Sequence, residues 1–119
     1  MRTSVRTSEL VTRTQAIAAE VAAKHASDVD AKSRFPHETF AALKQAKLLS
    51  AAVPKAYGGG GAGMLELGAQ CAALAQGCGS SAMVLAMHHI QVACLARHGK
   101  GSPYFERYMK EALVGRQDL

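Results

Sequence analysis

Two groups of residues in this sequence have types and spacings that chemistry uses. In AVPKAYGGGGAGMLELG, Gly58, Gly60 and Gly63 fit G-x-G-x-x-G, the turn that cradles a dinucleotide pyrophosphate. The second group is thiol and imidazole: His88 and His89 are adjacent, with Cys71, Cys78 and Cys94 close by in sequence. The first pattern would bind phosphate, and the second would hold a metal.

Context weakens both. A dinucleotide fingerprint needs a strand before it, a second strand after its helix, and an acidic residue about 20 positions on. Here a helical pattern follows the first helix, and no carboxylate occurs between Glu66 and Glu106. No Gly-Lys-Ser/Thr closes the run, which excludes a P-loop. The glycines therefore read as a tight turn lying close to other backbone. The N–H groups leading into the next helix are the remaining place for a phosphate or carbonyl oxygen. Adjacent histidines on a helix point about 100° apart and cannot both face one metal. The cysteines are odd in number with no C-x-x-C, so no zinc site and no metal-binding residue is expected. They read as small buried hydrophobes in a reducing compartment, hence a cytoplasmic protein.

The elements that would position these residues are helical. The chain has 119 residues, no Trp, 49% hydrophobic residues and a net charge of +5, which suits one small domain or a piece of a larger one. The charge reads as solvated helix faces. The basic residues are interleaved with acids and no recognition helix stands out, so no nucleic-acid partner is expected. MRTSVRTSEL has the Arg and Ser of a transit peptide but no apolar stripe, and residues 1–8 read as a frayed end before a domain over 9–119.

From Glu9 to about Val29, Leu10, Ile17, Val21 and Val29, with Thr14 and Ala18, recur at helical spacing. Pro36 suits the first position of a second helix that buries Phe40, Leu43 and Ala46. Leu48 to Val53 reads as a short extended connection closed by Pro54. A third helix is expected over Met64 to Gln76. A fourth runs from Ser81 to His98, with Ser80 or Ser81 as N-cap and Gly99 just past its end. Ser102-Pro103 opens a fifth that runs to about Leu113. No Asp, Glu, Lys or Arg occurs from Leu67 to Ala96. That length raises a membrane span. The break at Gly77-Cys78-Gly79-Ser80-Ser81, with Gln70, Gln76, His88, His89 and Gln91, argues against one.

In this order the segments resemble a known family. FPHETFAALKQAKLL, AAVPKAYGGGGAG, an Ala-rich helix and GSSAMVLAMHHIQVACLARHG are similar to the N-terminal helical domain of the acyl-CoA dehydrogenase superfamily. Phe35-Pro36, Val53-Pro54, Tyr57-Gly58-Gly59, Gly61, Gly79-Ser80, His88 and Gly99 carry the likeness. The resemblance implies an all-α fold, an orthogonal bundle of about five helices. Lys47 departs from it, standing at the end of the second helix where similar proteins place Gly, and is expected to form a left-handed cap at about 1 kcal/mol relative to Gly.

The resemblance further implies an FAD-dependent oxidoreductase of fatty-acid metabolism, with a middle β-domain and a C-terminal helical bundle. Those parts hold the flavin and a Glu that removes the proton α to the thioester, as a hydride leaves the β-carbon. They are absent from this chain, so none of its residues is expected to be catalytic or to bind cofactor, and the chain alone is expected to bind no flavin tightly. Its implied role is a wall of the acyl pocket on the fourth helix, through Met83, Val84, Met87, His88 and Gln91. The competing readings of these residues are core packing for Met83 and Met87, and a hydrogen-bonded interior position for His88. The implied partners are an acyl-CoA, the other domains of the same enzyme and further copies in a homo-oligomer. A related flavin monooxygenase and a non-enzymatic helical interaction module are the alternatives.

The charge-free helices are expected to form an interface rather than a closed core. Leu67, Cys71 and Leu74 on the third, with Met83, Leu85, Met87, Ile90, Val92 and Leu95 on the fourth, point in too many directions for five helices to cover.

Overall fold

The structure is a computed structural model and describes residues 8–119, so most of the segment expected to fray lies outside the described residues. Ser8 is an ordered N-cap, its Oγ accepting from the Val11 N–H at 3.3 Å. Helix α1 covers residues 9–32 as Glu9–Ile17, a π-turn at Ala18–Ala22, and Ala23–Lys32. α2 is His37–Gln45, α3 is Met64–Ala75 and α4 is Gly79–His98. α5 covers residues 103–115 as Pro103–Tyr108 and a π-helical Met109–Gly115. A 3-10 turn, Lys55–Tyr57, lies between α2 and α3, and no strand occurs among the described residues.

α3 packs on α4 and on the first part of α1, and α2 packs on α1. The result is a slab of 44 × 38 × 19 Å. One core cluster joins Ala18, Ala22, Phe40, Leu43, Leu48, Leu49, Leu74, Cys78, Ala82 and Leu85. A smaller one, of Val53, Val92, Met109 and Leu113, seats α5.

The stripe expected on α1 is displaced. Val11, Thr14, Ala18, Ala22 and Val29 are buried, while Leu10, Ile17 and Val21 are only half-buried at the flanks. Small residues take the centre because α3 ends against them: a Cβ at Gly77 would collide with the Ala18 carbonyl oxygen. Only a bare Cα permits this approach.

Several boundaries also move. Pro36 is the N-cap of α2 rather than its first residue, and its carbonyl accepts from the Phe40 N–H at 3.2 Å. Residues 48–53 are coiled into turns rather than extended, burying Leu48, Leu49, Ser50, Ala51 and Val53. α4 starts two residues before the expected Ser81, with Cys78 as N-cap. The buried Cys78 ends α3 through its N–H to Leu74 O and opens α4 through its carbonyl to the Ala82 N–H. Ser81 then falls inside the helix and faces the core. Lys47 does adopt the left-handed region, with φ 60°. Ser102 caps α5 as expected, accepting from the Phe105 N–H at 3.4 Å. The cysteines are free but not uniformly interior: Cys78 is buried, Cys71 half-buried and Cys94 exposed.

Candidate functional site

The glycine turn closes on itself. The N–H groups of Gly58, Gly59, Gly60, Gly61 and Ala62 donate to the carbonyls of Lys55, Pro54, Ser50, Val53 and Ala51 respectively. Five consecutive donors are thus spent within the turn, and none of these is left for a pyrophosphate. A Cβ at Gly59 would run into the Val53 carbonyl oxygen, so the glycines answer to close backbone contact. The described residues do not fit a flavin or nicotinamide dinucleotide at this turn. Among them, no cluster of three or more His, Cys, Asp or Glu is placed to hold a metal.

α4 carries the remaining chemistry, sorted onto two faces. Inward lie Ser81, Ala82, Leu85, His88, His89 and Val92. His88 is 5% exposed and donates from Nε2 to the Leu49 carbonyl at 2.7 Å. His89 is 4% exposed, with Nε2 donating to Gln70 Oε1 at 2.6 Å. Gln70 Nε2 in turn donates to Thr14 Oγ1 at 3.2 Å, and the Thr14 hydroxyl donates to Leu10 O at 2.8 Å. This buried chain of donors links α4, α3 and α1. Burial lowers the pKa of both imidazoles: His88 shifts downward against the opposing pull of its Leu49 bond, and His89 falls to about 4, with His88 adding repulsion. Both are neutral near pH 7. His89 Nδ1 and Ser81 Oγ are buried without a hydrogen-bond partner.

Outward lie Met83 and Met87, 64% and 55% exposed, with Ile90 at 63%. Cys94 and Gln91 are exposed on the same side. The structure therefore separates the five residues singled out from the sequence. Met83, Met87 and Gln91 share the open face. Val84 is half-buried and packs on the main core, and His88 points to the interior. Ile90 was named with Met83 and Met87 among the residues expected at an interface but not among the pocket residues, and Cys94 was expected to be buried, although the spacing 83, 87, 90, 94 is a helical stripe. Sequence reasoning also missed Gln70 as the partner of His89 and Thr14 as the partner of Gln70; a glutamine inside a charge-free apolar stretch was the available signal.

The charge-free stretch thus supplies both core and surface. Leu67, Leu74, Leu85 and Val92 are buried, whereas Met83, Met87 and Ile90 are not. Met64 and Leu65, at the start of α3, are exposed as well. Among the described residues α4 alone is long and apolar enough to cross a bilayer by length and composition. In this fold it is a bundle helix whose inner face holds two hydrogen-bonded histidines.

An all-helical domain with a self-satisfied glycine turn and an uncovered apolar helix defines a class: a helical module whose fourth helix offers a surface. The N-terminal domain of acyl-CoA dehydrogenase matches residues 6–103, and the chain belongs to that family. Over 54 residues it is 44% identical to a protein described as probable acyl-CoA dehydrogenase fadE25, from Mycobacterium leprae (strain TN). That segment covers 45% of this chain and 14% of the relative, so the match concerns a small part of a much longer protein. No solved structure matches the chain at a significant level.

Proposed function

We propose that this chain is the N-terminal part of an FAD-dependent acyl-CoA dehydrogenase, in which the outer face of α4 forms one wall of the acyl pocket. The observation that carries the reading is the open row of Met83, Met87 and Ile90 on a helix that carries no charge before Arg97 in its last turn, in a domain of this family. Unbranched methionines suit an alkyl chain, since they adapt to its shape at little cost. Gln91 edges the row, while Val84 and His88 act from behind by seating the helix.

In this reading the flavin and the base belong to other domains, which meet this face around a bound acyl-CoA. The full enzyme is a cytoplasmic homo-oligomer, in keeping with three free thiols. The test is complementation. The chain is mixed with flavin-loaded middle and C-terminal domains of a related dehydrogenase, and acyl-CoA-dependent bleaching of the flavin is followed. Recovery of bleaching that Met87→Lys abolishes supports the proposal. Bleaching indifferent to both Met83→Lys and Met87→Lys sinks the pocket role, and stoichiometric FAD on the isolated chain would refute the division of labour.

A further inference from the structure

The two faces of α4 are assigned against their hydrophobicity. At about 100° per residue, positions 83, 87, 90 and 94 fall within one arc of roughly 60°, and they carry Met, Met, Ile and Cys. The opposite arc carries Ser81, Ala82, Leu85, His88, His89 and Val92. Burial of apolar surface alone favours the first set inside at least as much as the second. The one charged side chain on α4, Arg97, stands in its last turn at the edge of the outer arc, and none from Gly79 to Ala96 marks a side, so binary pattern fixes the rotation of this helix only weakly.

We infer that His88 and His89 are positioning residues that set the rotational register of α4, and so keep the Met83, Met87, Ile90 and Cys94 row facing outward. Each ties the helix to a different element. His88 fastens it to the Leu49 carbonyl in the connection after α2, and that same residue's N–H is held by Gln117 Oε1 at 3.0 Å. His89 fastens it to α3 and α1 through Gln70, Thr14 and the Leu10 carbonyl. Turning the helix by half a revolution would strand Gln70 and leave the Leu49 carbonyl without its donor inside the core, where unpaired polar groups are costly. The polar links thus prohibit an arrangement that apolar burial would accept. Setting register is the best-attested use of buried polar groups. The inference rests on the observed packing and stands whether or not the outer face lines an acyl pocket.

Cys94 is a built-in reporter, because it is exposed only in the observed register. In the 119-residue chain, His88→Leu combined with His89→Leu removes both links while keeping apolar bulk. We expect helical circular dichroism to persist while iodoacetamide labelling of Cys94, resolved by peptide mass spectrometry, slows roughly tenfold as the sulfur leaves water. Adding Met87→Lys, whose charge resists burial, should return Cys94 to wild-type labelling. His89→Gln alone, which retains a donor toward Gln70, should label like the wild type. Unchanged Cys94 labelling in the folded double variant overturns the inference. If the double variant does not fold, the version carrying Met87→Lys decides: a folded chain with reactive Cys94 supports the register role, and an unfolded one rejects it.

Discussion

The inner and outer faces of α4 lie on the same twenty residues and obey opposite rules. Inside, two histidines and a serine are buried beside Leu85 and Val92; outside, two methionines and an isoleucine are more than half exposed. The difference teaches that the two inner histidines are held by hydrogen bonds to particular partners, whereas the outer row is apolar and open. An exposed apolar row on a small domain normally marks a contact.

The contrast breaks hardest at the inner apolar positions. Leu85 is fully buried, so Leu85→Ala should cost about 2–5 kcal/mol, while the same truncation at Met83 should cost under about 0.5 kcal/mol. Urea denaturation of the two variants measures this directly. Comparable losses would mean that the outer row is covered within the chain.

Acid should attack the inner face alone. His89 has a folded pKa of about 4 against an ordinary 6.5. Between those values the unfolded chain takes up the proton and the folded one does not, so its contribution to stability is full above about pH 6.5 and is lost as pH falls toward 4. The gap corresponds to about 3 kcal/mol, and His88 acts in the same direction. In denaturation curves at pH 7.5 and 4.5, His89→Gln should flatten the dependence. A profile unaltered by that substitution would show that His89 is not buried neutral.

The connection that His88 grips offers a smaller break. Gly59→Val pushes a side chain into the Val53 carbonyl, and should lower stability by roughly 1–3 kcal/mol with no nucleotide involved. Thermal melts with and without added dinucleotide check both halves of that statement. The smallest effect on folding belongs to the outer face. Met87→Lys should shift stability by no more than about 0.5 kcal/mol yet abolish binding of a hydrophobic dye to the isolated chain. A chain that binds no dye even with Met87 intact would show the row to be covered.

Much of the fold was legible in the sequence because it depends on neighbours along the chain. Helical spacing, the Ser102-Pro103 start, the breaks at Pro36 and the glycine run, and the left-handed Lys47 are all local matters. Even the order of segments was enough to indicate the family. Local rules failed where a distant contact intervened. α1 turned its small residues inward because Gly77 arrives from another helix, and α4 began early because Cys78 is anchored in the core. Cys94 was expected to be buried but is exposed, because its helix turns Leu85, His88, His89 and Val92 inward instead.

The identity of the chemistry-bearing residues was therefore open to reading, but their direction was not. Sequence alone determined that five helices form, that α4 is apolar with no charge before Arg97, and that the glycines make a turn rather than a nucleotide site. Only the tertiary structure decided that Met83 and Met87 look outward while His88 and His89 look in. The partners that settle it, Leu49 for His88 and Gln70 for His89, lie 39 and 19 residues away in the chain. A helix without an amphipathic bias takes its rotation from such long-range hydrogen bonds, and no periodicity within its own residues encodes them.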